Sequence, residues 1–167
     1  MKIAVISRSS LEDRVYWSGA ISTIYTKLKS YNKIKIIKID KLDNSLRKLF
    51  ALKREYLKYT KKIKFDEAYN ISVAKNFAKQ IKYKLNKHQD VDFLLSFDSS
   101  LVAYLQTNIP IILWTDLLYS DYYDHYFKKL KISKETIISI KKLERKALKN
   151  CHRIILASNW ALKKAKI

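Results

Sequence analysis

Polar side chains able to do chemistry recur just after short apolar runs. "KIAVIS" leads to Trp17, Ser18 and Gly19; "DFLLSF", with Ser96 inside it, leads to Asp98, Ser99 and Ser100; "PIILW" leads to Thr115 and Asp116; "RIILA" leads to Ser158 and Asn159. Hydroxyls and carboxylates at such places either accept the first N–H groups of a following helix or touch a ligand. Asp116 could orient a substrate hydroxyl or take its proton near neutral pH, or it could cap the segment that begins at Leu117. Gly19 is the only glycine of the chain. Either the backbone needs φ > 0 there, or something approaches closer than a Cβ would allow. The run "LLYSDYYDHYF" adds Tyr119, Tyr122, Tyr123, Tyr126 and His125. Tyrosine faces pack against the C–H surfaces of sugars or lipids while their edges hydrogen-bond, although a half-buried helix has the same composition.

Several chemistries are excluded. No GxGxxG follows the first apolar run, and no GxxxxGK[ST] occurs, which removes the dinucleotide fingerprint and the P-loop hydrolases. His88, His125 and His152 have no ligand spacing with one another or with Cys151, so no zinc site is expected. Cys151 is the single cysteine, which rules out an internal disulfide and is compatible with a reducing compartment.

The elements that must position these residues alternate. "KIAVIS", "KIKIIKI" (Lys33–Ile39), "DFLLSF", "PIILWT" and "RIILAS" are short apolar runs, the first of them β-branched, read as buried strands. Helical spacing recurs between them. "GAISTIYTKLKS" is read as a helix capped by Ser18, with Ile21, Ile24, Tyr25 and Leu28 on one face. Residues 43–62 carry Leu46, Leu49, Phe50 and Leu57 on one side; residues 67–84 carry Ile71, Ala74, Phe77, Ala78 and Ile81. "SSLVAYLQT" is read as a helix capped by Ser99, "SKETIISIKKLERKALKN" as one capped by Ser133, and "NWALKKAK" as the start of another. Strands alternating with helices predict a single α/β domain, doubly wound and Rossmann-like, over a mostly parallel sheet covered on both faces. The charged bend at 60–66 is the most plausible seam. In such folds ligands sit at the carboxyl ends of the strands, so the polar residues above are expected to converge on one cleft.

The order and spacing of four passages resemble the N-terminal half of glycosyltransferases of the GT-B fold, in particular the large retaining family 4. These are the opening "MKIAVIS", then "YWSGA" before the first helix, "LLSFDSSLVAYLQTNIPIILWTD", and "LERKALKNCHRIILASNWALKKA". The resemblance spans nearly the whole chain and implies an acceptor-side domain that serves transfer of a sugar from a nucleotide-sugar donor to a saccharide or lipid-linked acceptor. It implies that Gly19 lies close to the donor diphosphate, with the following helix N-terminus facing it. Trp17, Ser18, Ser99, Ser100, Thr115, Tyr119 and Ser158 would line the substrate cleft. Relatives often place a histidine at the end of the strand that here reads "WTD"; Asp116 is the catalytic candidate in its place. Glu144 falls at a family-like position and is expected to pair with Lys or contact backbone. The resemblance further implies that the donor is held mainly by a second domain. The 167 residues stop inside the helix begun by "NWALKKAKI", and alone they are expected to be inactive. No cofactor or metal is implied.

Lys and Arg outnumber Asp and Glu by 35 to 15, for a net charge of +20. Arginine occurs at only six positions, 8, 14, 47, 54, 145 and 153, so lysine is the default surface residue. A charge this large attracts polyanions or anionic lipid and says little about fold. Lysines near an anionic membrane contribute about 1 kcal/mol each, which suits relatives that glycosylate lipid-linked or cell-envelope acceptors. No apolar run reaches the roughly 18 residues of a spanning helix. A cytoplasmic domain, peripheral at the inner membrane face at most, is expected. The competing readings are a standalone α/β interaction protein and a basic nucleic-acid-binding module. Nucleic acid is the disfavoured partner, because Lys recurs on nearly every element and Asp121 and Asp124 interrupt the tyrosine run.

Overall fold

The five apolar runs become five strands: β1 (Lys2–Ile6), β2 (Lys35–Ile39), β3 (Phe93–Ser96), β4 (Ile111–Thr115) and β5 (Arg153–Leu156). The computed structural model describes residues 1–88, 90–121 and 131–165. The strands form one sheet in the order β2-β1-β3-β4-β5, and every pairing is parallel. Among the described residues seven helices accompany it: α1 (Ala20–Lys29), α2 (Ser45–Leu49), α3 (Ala51–Lys61), α4 (Ile71–Leu85), α5 (Ser99–Val102), α6 (Lys134–Asn150) and α7 (Asn159–Ala165). This is the expected doubly wound, Rossmann-like α/β arrangement.

Alternate residues of the central strands enter opposite cores. Ala4 and Ile6 of β1 pack with Phe77, Ile81, Ile140 and Leu143, beneath α4 and α6. Ile3 and Val5 pack on the other side with Ile21 and Tyr25 of α1 and with Leu95. Burial on both faces is why β1 reads as a continuous apolar run rather than an alternating one.

Local chemistry departs from the sequence reading at several helix starts. Ser18 does not cap α1: its backbone is left-handed (φ 52°), and Gly19 occupies the N-cap position at φ 78°. Asp98, not Ser99, caps α5, because its extended backbone lets the carboxylate accept from the Ser100 N–H at 2.8 Å. That helix ends at Val102, short of the expected span. The helical stretch 43–62 divides into α2 and α3 at Phe50, and Leu49, expected on the inner side, is exposed. A 3₁₀ turn, Glu67–Tyr69, precedes α4, which Asn70 caps by accepting from Ser72 N–H at 2.8 Å. Ser133 does cap α6, accepting from Thr136 N–H at 3.1 Å. The bend at 60–66 is stitched into the domain: Lys64 donates its N–H to the Lys131 carbonyl at 2.7 Å and accepts from Ser133 N–H at 2.9 Å.

Candidate functional site

With all strands parallel, their carboxyl ends share one edge, and the order reverses between β1 and β3. The connection from β1 runs outward to β2, while that from β3 runs the other way to β4. A crevice at such a reversal is where ligands enter open α/β sheets. A pocket lies there, lined by residues that follow β1, β3 and β4 together with the 3₁₀ turn before α4 and Glu144 of α6.

Arg8 organises its floor. Placed two residues beyond β1, it is only 7% exposed. Its Nη2 lies 2.5 Å from Asp98 Oδ2 and donates to Ser100 Oγ at 2.7 Å. The guanidinium stands over the rings of Tyr69 and Phe77, 5.2 and 5.8 Å from their centroids. The cap at α5 explains the pairing: the same Asp98 that accepts from Ser100 N–H meets Arg8, so helix start and ion pair fix each other. Burial is the largest single influence and works against the Arg8 charge, but the Asp98 carboxylate together with Tyr69, Tyr16 and Asp66 outweighs it, and the guanidinium pKa is raised. Arg8 is therefore a permanent cation in a largely dehydrated place. Ser7 Oγ and Arg8 Nε, both buried, have no hydrogen-bond partner among the described residues, which leaves donor capacity for a ligand oxygen.

Aromatic rings form the walls. Trp17 and Trp114 each meet Phe97, with centroids 6.1 and 6.3 Å apart, and Tyr69 stacks on Tyr119 at 4.1 Å. Burial, and then the Asp98 charge, raise the pKa of the Tyr16 and Tyr69 hydroxyls. Both stay neutral and act as hydrogen-bond groups rather than bases. Behind them Glu144, buried on α6, accepts from Ser120 N–H at 3.1 Å and from Tyr119 N–H. Burial raises its pKa, against the lowering effect of those N–H groups. The enclosed part of the pocket is about 40 Å³, room for a few water-sized groups and not for a sugar ring.

The turn that carries Trp17 is strained. Trp17, Ser18 and Gly19 are consecutive left-handed residues, at φ 57°, 52° and 78°, and each non-glycine residue so held costs about 1–2 kcal/mol. A Cβ on Gly19 would lie 3.0 Å from the Arg14 carbonyl oxygen. Positive φ and the chain's own backbone together account for the single glycine.

The sequence-predicted residues divide. Trp17, Ser99, Thr115 and Tyr119 line the pocket, and Ser100 holds Arg8 from behind. Gly19 lines a separate shallow groove along α1, with Arg14 and Thr23. Ser18 and Asp116 are exposed at the same sheet edge, outside the lining. Ser158 is exposed and accepts from Ala161 N–H at 3.1 Å, the ordinary service of a helix cap. Tyr122, Tyr123, His125 and Tyr126 lie outside the described residues. Arg8, Tyr16 and Tyr69 belong to the site and were not singled out by sequence. For Arg8 a signal existed: an arginine directly after a strand, in a chain that otherwise uses lysine. Nothing local marks Tyr69, which arrives from 61 residues further along the chain. Among the described residues no group of three His, Cys, Asp or Glu side chains gathers to hold a metal.

The sequence matches no protein-family model, no curated protein and no solved structure.

Proposed function

We propose that this chain is the acceptor-side domain of a sugar-nucleotide-dependent glycosyltransferase of GT-B architecture, acting on a saccharide or lipid-linked acceptor. One observation supports this most: the passages that carry the resemblance converge in space. "YWSGA" supplies Trp17, "LLSFDSSLVAYLQTNIPIILWTD" supplies Asp98, Ser99 and Thr115, and "LERKALKN" supplies Glu144, all at one pocket. A hydroxyl-bearing ring fits across its mouth, stacked on the aromatic walls, with one polar substituent reaching Ser7 and Arg8 in the small enclosed space.

The transfer itself needs an acceptor hydroxyl oxygen to attack the anomeric carbon while the bond from that carbon to the donor phosphate breaks and the hydroxyl proton passes to the departing phosphate oxygen. On this reading Asp116, exposed just past the end of β4, orients the acceptor hydroxyl. The start of α1 and basic side chains offer positive potential to the leaving diphosphate. On this reading the sugar nucleotide is held chiefly by a second domain, so these residues bind acceptor without turning over.

Trp17 lines the pocket, and Trp114 meets the lining residue Phe97, so tryptophan fluorescence tests the reading. A saturable change is expected on titrating oligosaccharides or a detergent-solubilised lipid-linked saccharide, and Trp17→Ala should abolish most of it. Response to neither acceptor class would overturn the proposal. So would a response only to single-stranded oligonucleotides with a steep salt dependence, which is the behaviour of a basic nucleic-acid binder.

A further inference from the structure

The helical segment from Ser45 to Lys61 uses only one of its faces within the fold. Leu46 and Phe50 pack against the main core, and Phe50 meets Phe65 with ring centroids 6.4 Å apart. Arg47 and Arg54 turn to Glu67, at 3.4 and 2.7 Å. Along the other face Leu49, Leu52, Tyr56 and Tyr59 are 71, 81, 59 and 74% exposed. On α3, Leu52, Tyr56 and Tyr59 are spaced four and three residues apart and fall within an arc of about 60° on a helix that turns about 100° per residue, and Leu49 closes α2 just before them. Singly exposed apolar residues are ordinary; three aligned along one helical face with a fourth beside its start are not. A turn at Phe50 (φ −80°, ψ −9°) separates α2 from α3, and Arg54 N–H reaches the Phe50 carbonyl at 3.0 Å in the first turn of α3. The stripe therefore lies chiefly on α3, with Leu49 at the end of α2 beside its start.

Charge selects what covers it. Residues 47–64 hold eight Lys or Arg and a single acidic residue, Glu55. Lys48, Lys58, Lys61 and Lys62 are exposed on this segment. We propose that α2 and α3 form a docking surface for an anionic lipid bilayer. The segment lies in the plane of the interface, with Leu49 and Leu52 at the acyl boundary, Tyr56 and Tyr59 at headgroup depth and the lysines on lipid phosphates. An apolar stripe with tyrosines beside a lysine-rich polar face is the pattern of an interfacial helix. A second copy of the chain is a poorer fit, since two faces rich in lysine would meet like charge to like charge. The inward contacts of Arg47, Arg54 and Phe50 keep the stripe pointing outward rather than folding onto the core. This inference does not depend on the reading of the pocket.

The test is co-sedimentation of the 167-residue chain with vesicles of phosphatidylcholine alone, and with roughly 30% phosphatidylglycerol added, at low and high salt. Wild type should pellet only with the anionic vesicles. L52S/Y59S, which leaves the charge unchanged, should weaken binding roughly tenfold. K141S/K142S, at exposed positions of α6, should change it less than about twofold, since those lysines lie off the stripe. The tryptophan emission of L52W should shift to the blue on anionic vesicles. No sedimentation, equal weakening by the two double variants, or an unshifted L52W would each overturn the proposal. Dimerisation that L52S/Y59S abolishes, without vesicle binding, would assign the face to a second copy and overturn it as well.

Discussion

Arg8 and Asp98 carry the largest energetic stakes at the scale of single residues. Each is desolvated, and each is tolerable only because the other is 2.5 Å away. Arg8→Met should cost about 3–5 kcal/mol in urea-induced unfolding, because it strands a buried carboxylate. Replacing both partners with apolar residues should recover part of that loss. A cost below about 1 kcal/mol for Arg8→Met would mean that the pair is not formed in solution. Glu144 gives a pH signature. Burial raises its pKa in the folded protein, so the unfolded chain loses this proton first as pH rises. Stability from this group is then fully present at acid pH and declines as pH climbs from the ordinary carboxylate value through the raised one. Glu144→Gln should remove that slope from a stability–pH profile; an unchanged slope would show that the carboxyl titrates normally.

Element ends explain which part of the helical reading survived tertiary structure. Ser133 and Asn70 sit in extended backbone immediately before long amphipathic helices, where their side chains reach the first N–H groups. Ser133→Ala should cost about 1 kcal/mol in chemical denaturation. Ser133 Oγ also donates to Thr136 Oγ1 at 2.8 Å, so a cost near zero would mean that this end of α6 frays. Ser18 and Ser99 had the right residue type for caps but not the backbone. The left-handed turn at 17–19 took the first out of reach, and Asp98, one residue earlier, claimed the end of α5. Cap identity is decided by φ and ψ, and a list of serines before apolar runs does not contain those angles. Leu49 shows the same limit. The helix has the expected period, but its phase is set by the neighbours of Leu46, Phe50 and Glu67, and that rotation turns Leu49 to solvent.

Net charge governs behaviour at the scale of the whole molecule. At +20 the folded chain repels itself, and the described residues provide few acidic partners at its surface. Raising sodium chloride from about 10 to about 300 mM shortens the screening distance severalfold, so the melting temperature should rise. A flat or falling profile would mean that acidic partners already neutralise the field locally. No helix among the described residues is long and apolar enough to cross a membrane.

The sequence by itself determined the class of the fold. Five short apolar runs separated by helical spacing predict strands joined by helical crossovers, which makes the sheet parallel. The central runs β1 and β3 are buried on both faces, while the edge runs β2 and β5 each leave residues exposed. It also placed Trp17, Ser99, Thr115 and Tyr119 near the right edge, because residues following parallel strands all emerge on one side of the sheet. Only the tertiary structure decided that the organising side chain is Arg8, that Asp98 rather than Ser99 meets it, and that Tyr69 closes the wall. Those choices depend on contacts between residues 61 to 92 positions apart. Strand order and helix rotation bring such residues together, and no local pattern encodes either.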